Sequence, residues 1–180
     1  LLKRPIVTDG TRVTLRPIKP EDEPLWHELL ASCSSESLWA RFQFMFKTES
    51  HEAAIRFCFV DYDRELTAVA ETNSNGVRKL LGVARLAGDG SSRRAEFAVL
   101  VGEPWQGKGL GTLLAEYCLR HADRVQVQEV HAVTGRMNTR MIRVFKRLGF
   151  EFSPAADPTL LMVTKRLPVT AMAPATAGSE

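Results

Sequence analysis

Apolar and polar positions alternate along residues 11–18, "TRVTLRPI", and predict a first strand that ends at the prolines. The period then changes. In 21–32, "EDEPLWHELLAS", Leu25, Trp26, Leu29 and Leu30 recur at helical spacing behind an acidic start, the charge favoured at a helix N-terminus. Helices are also predicted over 35–46 and 49–59, with Leu38, Trp39 and Phe42 packing the first of them onto a sheet. Two short apolar runs, 65–72 and 79–88, flank the turn sequence "NSNG" and predict an antiparallel hairpin. A further strand is predicted over 93–101, after "GDGSS". Beyond a glycine-rich segment, Leu110, Leu113, Leu114, Tyr117 and Cys118 form one apolar helix face. A strand over 130–134 and a helix over 138–149 follow, the helix turning Met141, Val144, Phe145 and Leu148 inward and stopping at Gly149. A strand over 160–167 closes the pattern, and the tail 168–180, which has no core-forming pattern, is expected to be disordered.

A chain of 180 residues is long enough for one domain with a proper core and short for two. With 24 basic and 21 acidic residues its net charge is +3, too balanced for binding to nucleic acid to be read from charge. Cys33, Cys58 and Cys118 are far apart and odd in number, so neither a disulfide framework nor a zinc pattern is expected, and a reducing cytoplasm is. The histidines His27, His51 and His131 have no metal-ligand spacing, and no metal is assigned. No apolar run approaches membrane-spanning length and the N-terminus lacks a signal-peptide core, so no membrane partner is expected. Lacking an initiator Met, the chain is expected to be a piece of a longer one, with 1–12 as a leader.

The candidate chemistry begins at "WQGKGLGT", residues 105–112. Gly107, Gly109 and Gly111 lead directly into a helix, where bare backbone amides and the helix dipole can cradle an anion. It is neither a P-loop, since no Lys-Ser/Thr pair follows, nor a complete dinucleotide fingerprint. The alternative is a turn that merely joins strand to helix. Just upstream, "AEFAVLV" carries one carboxylate: by alternation Glu96, Ala98 and Leu100 share a face, and Phe97, Val99 and Val101 the other. Partial desolvation among such neighbours would raise the pKa of Glu96 and suit it to act as a base; the alternative is an edge carboxylate facing water.

The order strand, Gln106-x-x-Gly109-x-Gly111, helix, strand, then Asn138 opening "NTRMIRVFKRLGF", resembles the GNAT superfamily of N-acetyltransferases over roughly 12–167. The segments "DGTRVTLRPIKPEDE", "SSESLWARF" and "AEFAVLV" are similar to its bacterial protein lysine acetyltransferase (Pat) branch. The resemblance implies a single α/β domain over 13–167, with a mixed, mostly antiparallel sheet flanked by helices and a strand splayed before the glycine loop. It implies acetyl-CoA as cosubstrate, its pyrophosphate on the amides of Gln106, Gly107, Lys108, Gly109, Leu110, Gly111 and Thr112, with Lys108 adding charge. The pantetheine arm would lie along Val99, Leu100 and Val101, and Asn138 would either touch it or cap its own helix.

Glu96 would then be the general base, taking a proton directly or through water as an amine attacks the thioester. Many relatives have a tyrosine acid seven residues after the Asn; here that position is Phe145, which cannot donate. Arg41 would touch the acceptor, and Arg136 or Arg140 would approach the CoA 3′-phosphate. The branch implies a protein acceptor bearing a target lysine, such as an acyl-CoA synthetase whose active-site lysine is silenced, and fusion to a regulatory domain. Two rivals remain: acetylation of a small amine or a protein N-terminus, and a non-catalytic acyl-CoA sensor.

Overall fold

This computed structural model describes residues 5–42, 51–61, 64–90 and 93–168. Eight strands form one sheet: β1 (Pro5–Thr8), β2 (Thr11–Pro17), β3 (Glu65–Ser74), β4 (Val77–Gly88), β5 (Arg94–Val101), β6 (Glu129–Gly135), β7 (Glu151–Pro154) and β8 (Leu160–Arg166). Their spatial order is β1-β2-β3-β4-β5-β6-β8-β7, and among the described residues only β5 and β6 run parallel. The helices are α1 (Glu23–Ala31), α2 (Ser35–Phe42), α3 (His51–Cys58), α4 (Leu110–Arg124) and α5 (Thr139–Arg147). The expected mixed, mostly antiparallel α/β fold is present.

Two cores sandwich the sheet, because the central strands bury both faces. Leu66, Ala68 and Ala70 of β3 join Phe97, Leu110, Leu114, Cys118 and Phe145 beneath α4 and α5. Val69, Val83 and Leu100 point the other way, against Trp26, Leu30, Phe42 and Phe57 of α1, α2 and α3. Strict alternation would give Leu81 and Val83 the same face, yet they enter opposite cores. The bulge between Ala70 and Glu71 in the β3–β4 register inserts the extra residue that reverses the pleat. The hairpin is longer than the apolar runs suggested, since Asn75 (φ 51°) and Gly76 (φ 83°) make a tight two-residue turn and pairing continues through Ser74 and Val77.

The edges depart from the sequence pattern. Pro5–Thr8, placed in the leader by the sequence, pairs with β2, and β7 extends the opposite edge; both are four-residue strands too short to show a period. The helices predicted over 35–46 and 49–59 are described as α2 and α3; Phe59 falls just past the end of α3, and the remainder lies outside the described residues, as does the tail beyond Pro168. Trp39 does not pack as expected. It is 54% exposed, because Leu38 and Phe42, four residues apart, share the inward face and Trp39 is rotated off it.

A buried ion network joins β2, β3, β4 and the turn before α1. Arg16, 6% exposed, donates to Asp22 Oδ2 (2.6 Å) and Oδ1 (2.8 Å) and also pairs with Glu71, which Arg78 holds from outside at 2.9 Å. The polar groups of Arg16 and Asp22 thus satisfy one another in a site neither could occupy alone.

Candidate active site

β5 carries the site because it has one neighbour for its whole length and the other for only part. It pairs with β4 from Ala95 to Val101, but with β6 only at Arg94, Ala95 and Glu96, opposite Glu129, Val130 and His131. From Phe97 onward β5 and β6 part, leaving the splay that the family resemblance implied. The five residues beyond Glu96, Phe97 to Val101, carry the strand about 17 Å along this gap. At its far end Gln106 Nε2 donates to Val101 O at 3.1 Å.

The loop beyond β5 has the geometry of an anion cradle. Gly107 (φ 73°) and Gly109 (φ 89°) are in the left-handed region and would leave a Cβ in open space, so side chains are excluded by backbone angle rather than crowding. Leu113 N is the first amide of α4 to find an acceptor, Gly109 O at 3.1 Å. Among the described residues no group accepts from the backbone N–H of Gly107, Lys108, Gly109, Leu110, Gly111 or Thr112. Six free amides at a helix N-terminus fit the pyrophosphate of acetyl-CoA. Lys108, expected to add charge, is paired with Asp9 at 3.0 Å and lies over the Trp105 ring at 5.0 Å, so it would exchange Asp9 for phosphate.

The start of α5 faces the same gap. Asn138 Oδ1 caps α5 by accepting from Met141 N at 3.2 Å, while its amide NH₂ makes no hydrogen bond among the described residues. Arg140 reaches across to Gln106 Oε1 at 2.6 Å, whereas Arg136 is held by Pro158 O at 2.7 Å. Phe145 is buried between Phe97 and Phe150 and serves packing.

Glu96 is solvent-exposed, and the expected desolvation is absent. It lies where β6 offers little cover: Val133, two residues beyond the paired His131, is 40% exposed. Whatever Glu96 does as a base rests on its place at the opening of the gap rather than on burial. The surroundings of the cysteines disfavour their thiolates. Burial pushes the Cys118 thiol up to about 12, and burial foremost raises Cys33 to about 11 and Cys58 to about 12, so all stay protonated at neutral pH.

Sequence reasoning missed the polar link between α2 and the loop. Glu103 accepts from Ser34 N (3.1 Å), Ser34 Oγ (2.7 Å) and Ser37 Oγ, and Gln106 Nε2 also donates to Ser37 Oγ at 3.2 Å. Hydrogen bonds from Ser37 and Ser34 hold the Glu103 carboxyl down to about 2. Ser34, just before α2, is a legible capping signal, its Oγ accepting from Ser37 N at 3.1 Å; the acid that meets Ser34 and Ser37 is 66 residues or more away and had none.

An open depression lined by Arg93, Arg94, Glu129 and Arg166 lies at the other end of β5 and β6 from the loop and is separate from this site. Among the described residues no group of three or more His, Cys, Asp or Glu could hold a metal, and no helix is long and apolar enough to cross a membrane.

The model of the acetyltransferase (GNAT) domain family matches residues 12–151. Acetyltransferase Pat of Mycolicibacterium smegmatis is 31% identical over 145 residues, 79% of this chain but 42% of that protein. Spermidine N(1)-acetyltransferase of Escherichia coli K12 is 23% identical over 139 residues, covering 77% of this chain and 72% of that one. The GNAT domain of S. lividans PAT superposes with a TM-score of 0.81 at 23% identity, over 92% of this chain and 97% of that one. With its splayed strands and unsatisfied loop amides, the chain belongs to the GNAT family of N-acetyltransferases.

Proposed function

We propose that this acetyltransferase moves the acetyl group of acetyl-CoA onto a lysine side chain of a protein, by direct transfer with Glu96 as general base. The observation that carries this reading is the position of Glu96 as the last β5 residue paired with β6, at the inner end of the gap. A pantetheine arm entering from the loop and bonding to the free edge of β5 would bring its thioester to that point. A backbone N–H there would polarise the thioester carbonyl.

A lysine with pKa about 10.4 is mostly ammonium at neutral pH and must lose a proton before it attacks. Glu96, directly or through water, takes that proton; the amine nitrogen bonds to the carbonyl carbon, and the C–S bond breaks with its electrons leaving on the CoA sulfur. A thiol pKa of about 8.5 lets the sulfur depart as thiolate, so Phe145 in place of an acid is tolerable. Similarity to acetyltransferase Pat supports the Pat-like branch, and what that branch resemblance implies is a protein acceptor, with an acyl-CoA synthetase as the candidate, a fused regulatory domain in the full-length protein and a cytoplasmic location.

A small amine is the second reading, favoured by similarity to the spermidine enzyme. The exposed carboxylate at the gap weighs against a mere sensor, since binding a thioester needs no base. Transfer of label from acetyl-CoA to an acyl-CoA synthetase, to lysine peptides, to peptides with only a free N-terminus and to spermidine distinguishes these readings. Label on spermidine alone would overturn the first; binding without transfer to any acceptor would favour the sensor.

A further inference from the structure

The face of the sheet beside Glu96 carries a second charged group, Arg41, which the family resemblance sets against the acceptor but which takes no part in the reaction steps above. α2 packs over β5 and brings Arg41 there, its guanidinium carbon 4.8 Å from the centre of the Phe42 ring and 5.9 Å from that of Phe57. Arg85, opposite Ala98 and therefore on the same face as Glu96, approaches Phe57 from β4 at 5.8 Å. The two arginines differ in one respect. Arg85 is neutralised by Glu65, whose Oε2 accepts from its Nε at 3.0 Å and its Nη2 at 2.6 Å. Arg41 has no ion pair or hydrogen bond among the described residues, although it is half-buried against aromatic rings.

Burial, and then the like charge of Arg85, lower the Arg41 pKa to about 10, partly offset by Glu96. Withdrawing a guanidinium from water without a hydrogen-bonded anion is costly, and the cost is recovered when one docks. Glu96 cannot supply that anion during turnover. When an acceptor enters as ammonium, Glu96 pairs with it and then takes its proton, leaving Arg41 without a counter-charge. A second cation on the acceptor would meet Arg41 and be repelled, whereas a carboxylate would complete the pairing.

We propose that Arg41 is a subsite for a carboxylate carried by the acceptor beside its reactive amine, so that the preferred target is a lysine with an acidic neighbour. The planar fork of the guanidinium, stacked on Phe42, suits two-point binding of a carboxylate. This inference rests on the lysine-acceptor reading and narrows it.

The test compares lysine peptides with blocked ends that differ only in the residues flanking the lysine: Glu, Gln or Lys. A peptide ending in a free lysine carboxylate and spermidine are added. The wild-type enzyme is expected to favour the Glu-flanked over the Gln-flanked peptide about tenfold to a hundredfold in kcat/KM, through KM, the usual worth of a hydrogen bond to a charged group. Arg41→Gln should abolish that ratio, Arg41→Lys should keep part of it, and Arg41→Glu should shift preference to the Lys-flanked peptide. Calorimetry should show unchanged acetyl-CoA affinity in all three, which separates loss of the subsite from loss of fold. A free-carboxylate preference that disappears in Arg41→Gln keeps the subsite and assigns it to a main-chain end. Equal use of all peptides, or a preference untouched by Arg41→Gln, overturns this inference and leaves the lysine reading standing. Acetylation of spermidine with no peptide modified overturns both.

Discussion

Glu96 and His131 stand opposite one another as the last paired residues of β5 and β6 before the two strands separate. The parallel register puts both side chains on the same face, and the Nδ1 of His131 is buried without a partner among the described residues. The proposed base therefore sits at the last position where β5 is still paired on both sides, where the gap between β5 and β6 begins.

Glu96→Gln keeps the shape and the strand pairing but removes the proton acceptor. Turnover at neutral pH is expected to fall about 10²–10⁴-fold, the usual contribution of a positioned base, with acetyl-CoA affinity close to wild type. The deficit should narrow as pH rises toward the lysine pKa, where the amine is already neutral. A pH–rate profile of both forms with a lysine peptide, alongside calorimetry, checks this. An unaltered profile in the variant would remove Glu96 from the reaction.

The loop glycines should separate strain from ligand contact. Gly109→Ala places a methyl group at φ 89° and should cost about 1–2 kcal/mol of stability as well as acetyl-CoA binding. Gly111 has no such angle, and its added Cβ would meet Val144 and Val101 side chains at 3.9 and 4.0 Å, ordinary contacts. Gly111→Ala should leave the melting temperature unchanged or higher and still weaken acetyl-CoA, because the methyl occupies the approach of the pyrophosphate. Undiminished affinity in both variants would mean the free amides hold something else.

Direct transfer predicts no acyl-enzyme. With their thiols raised to about 11 and about 12, Cys33, Cys58 and Cys118 should carry no acetyl group after incubation with acetyl-CoA alone. Intact-mass spectrometry under acid quench reads this, and a stoichiometric, thiol-reversible adduct of one acetyl group would overturn it.

The buried network predicts an acid-sensitive fold. Burial pushes the Asp22 carboxyl up, but hydrogen bonds from Arg16 and the Lys19 amide, with the charges of Arg16 and Arg78, outweigh it and hold the carboxyl below its usual value. The Arg78 hydrogen bond, against burial and with Arg16, does the same for Glu71. Depressed carboxyls stabilise the fold fully above their unfolded values, about 3.9 and 4.3, and the contribution is lost as pH falls through the folded ones. Asp22→Asn should cost about 3 kcal/mol at neutral pH by leaving Arg16 under-compensated, and should flatten the acid limb. Urea denaturation at neutral and acid pH measures both.

The sequence by itself determined the elements whose periods are long enough to read. Trp26, Leu29 and Leu30 mark α1, the "NSNG" turn marks the β3–β4 hairpin, and Gly107 and Gly109 mark the turn into α4, because backbone angle and side-chain period are local properties. Tertiary structure alone decided what depends on distant partners. Alternation put Glu96 on a face, but its exposure depends on how far β6 and α2 extend beside it. The splay follows from three paired residues in an eight-residue strand, which no local pattern encodes. Arg41 is a charged residue on an ordinary helix until folding sets it on Phe42 and Phe57 beside an already neutralised Arg85. Electrostatic roles are fixed by through-space neighbours, and those neighbours are chosen by the sheet order rather than by the chain order.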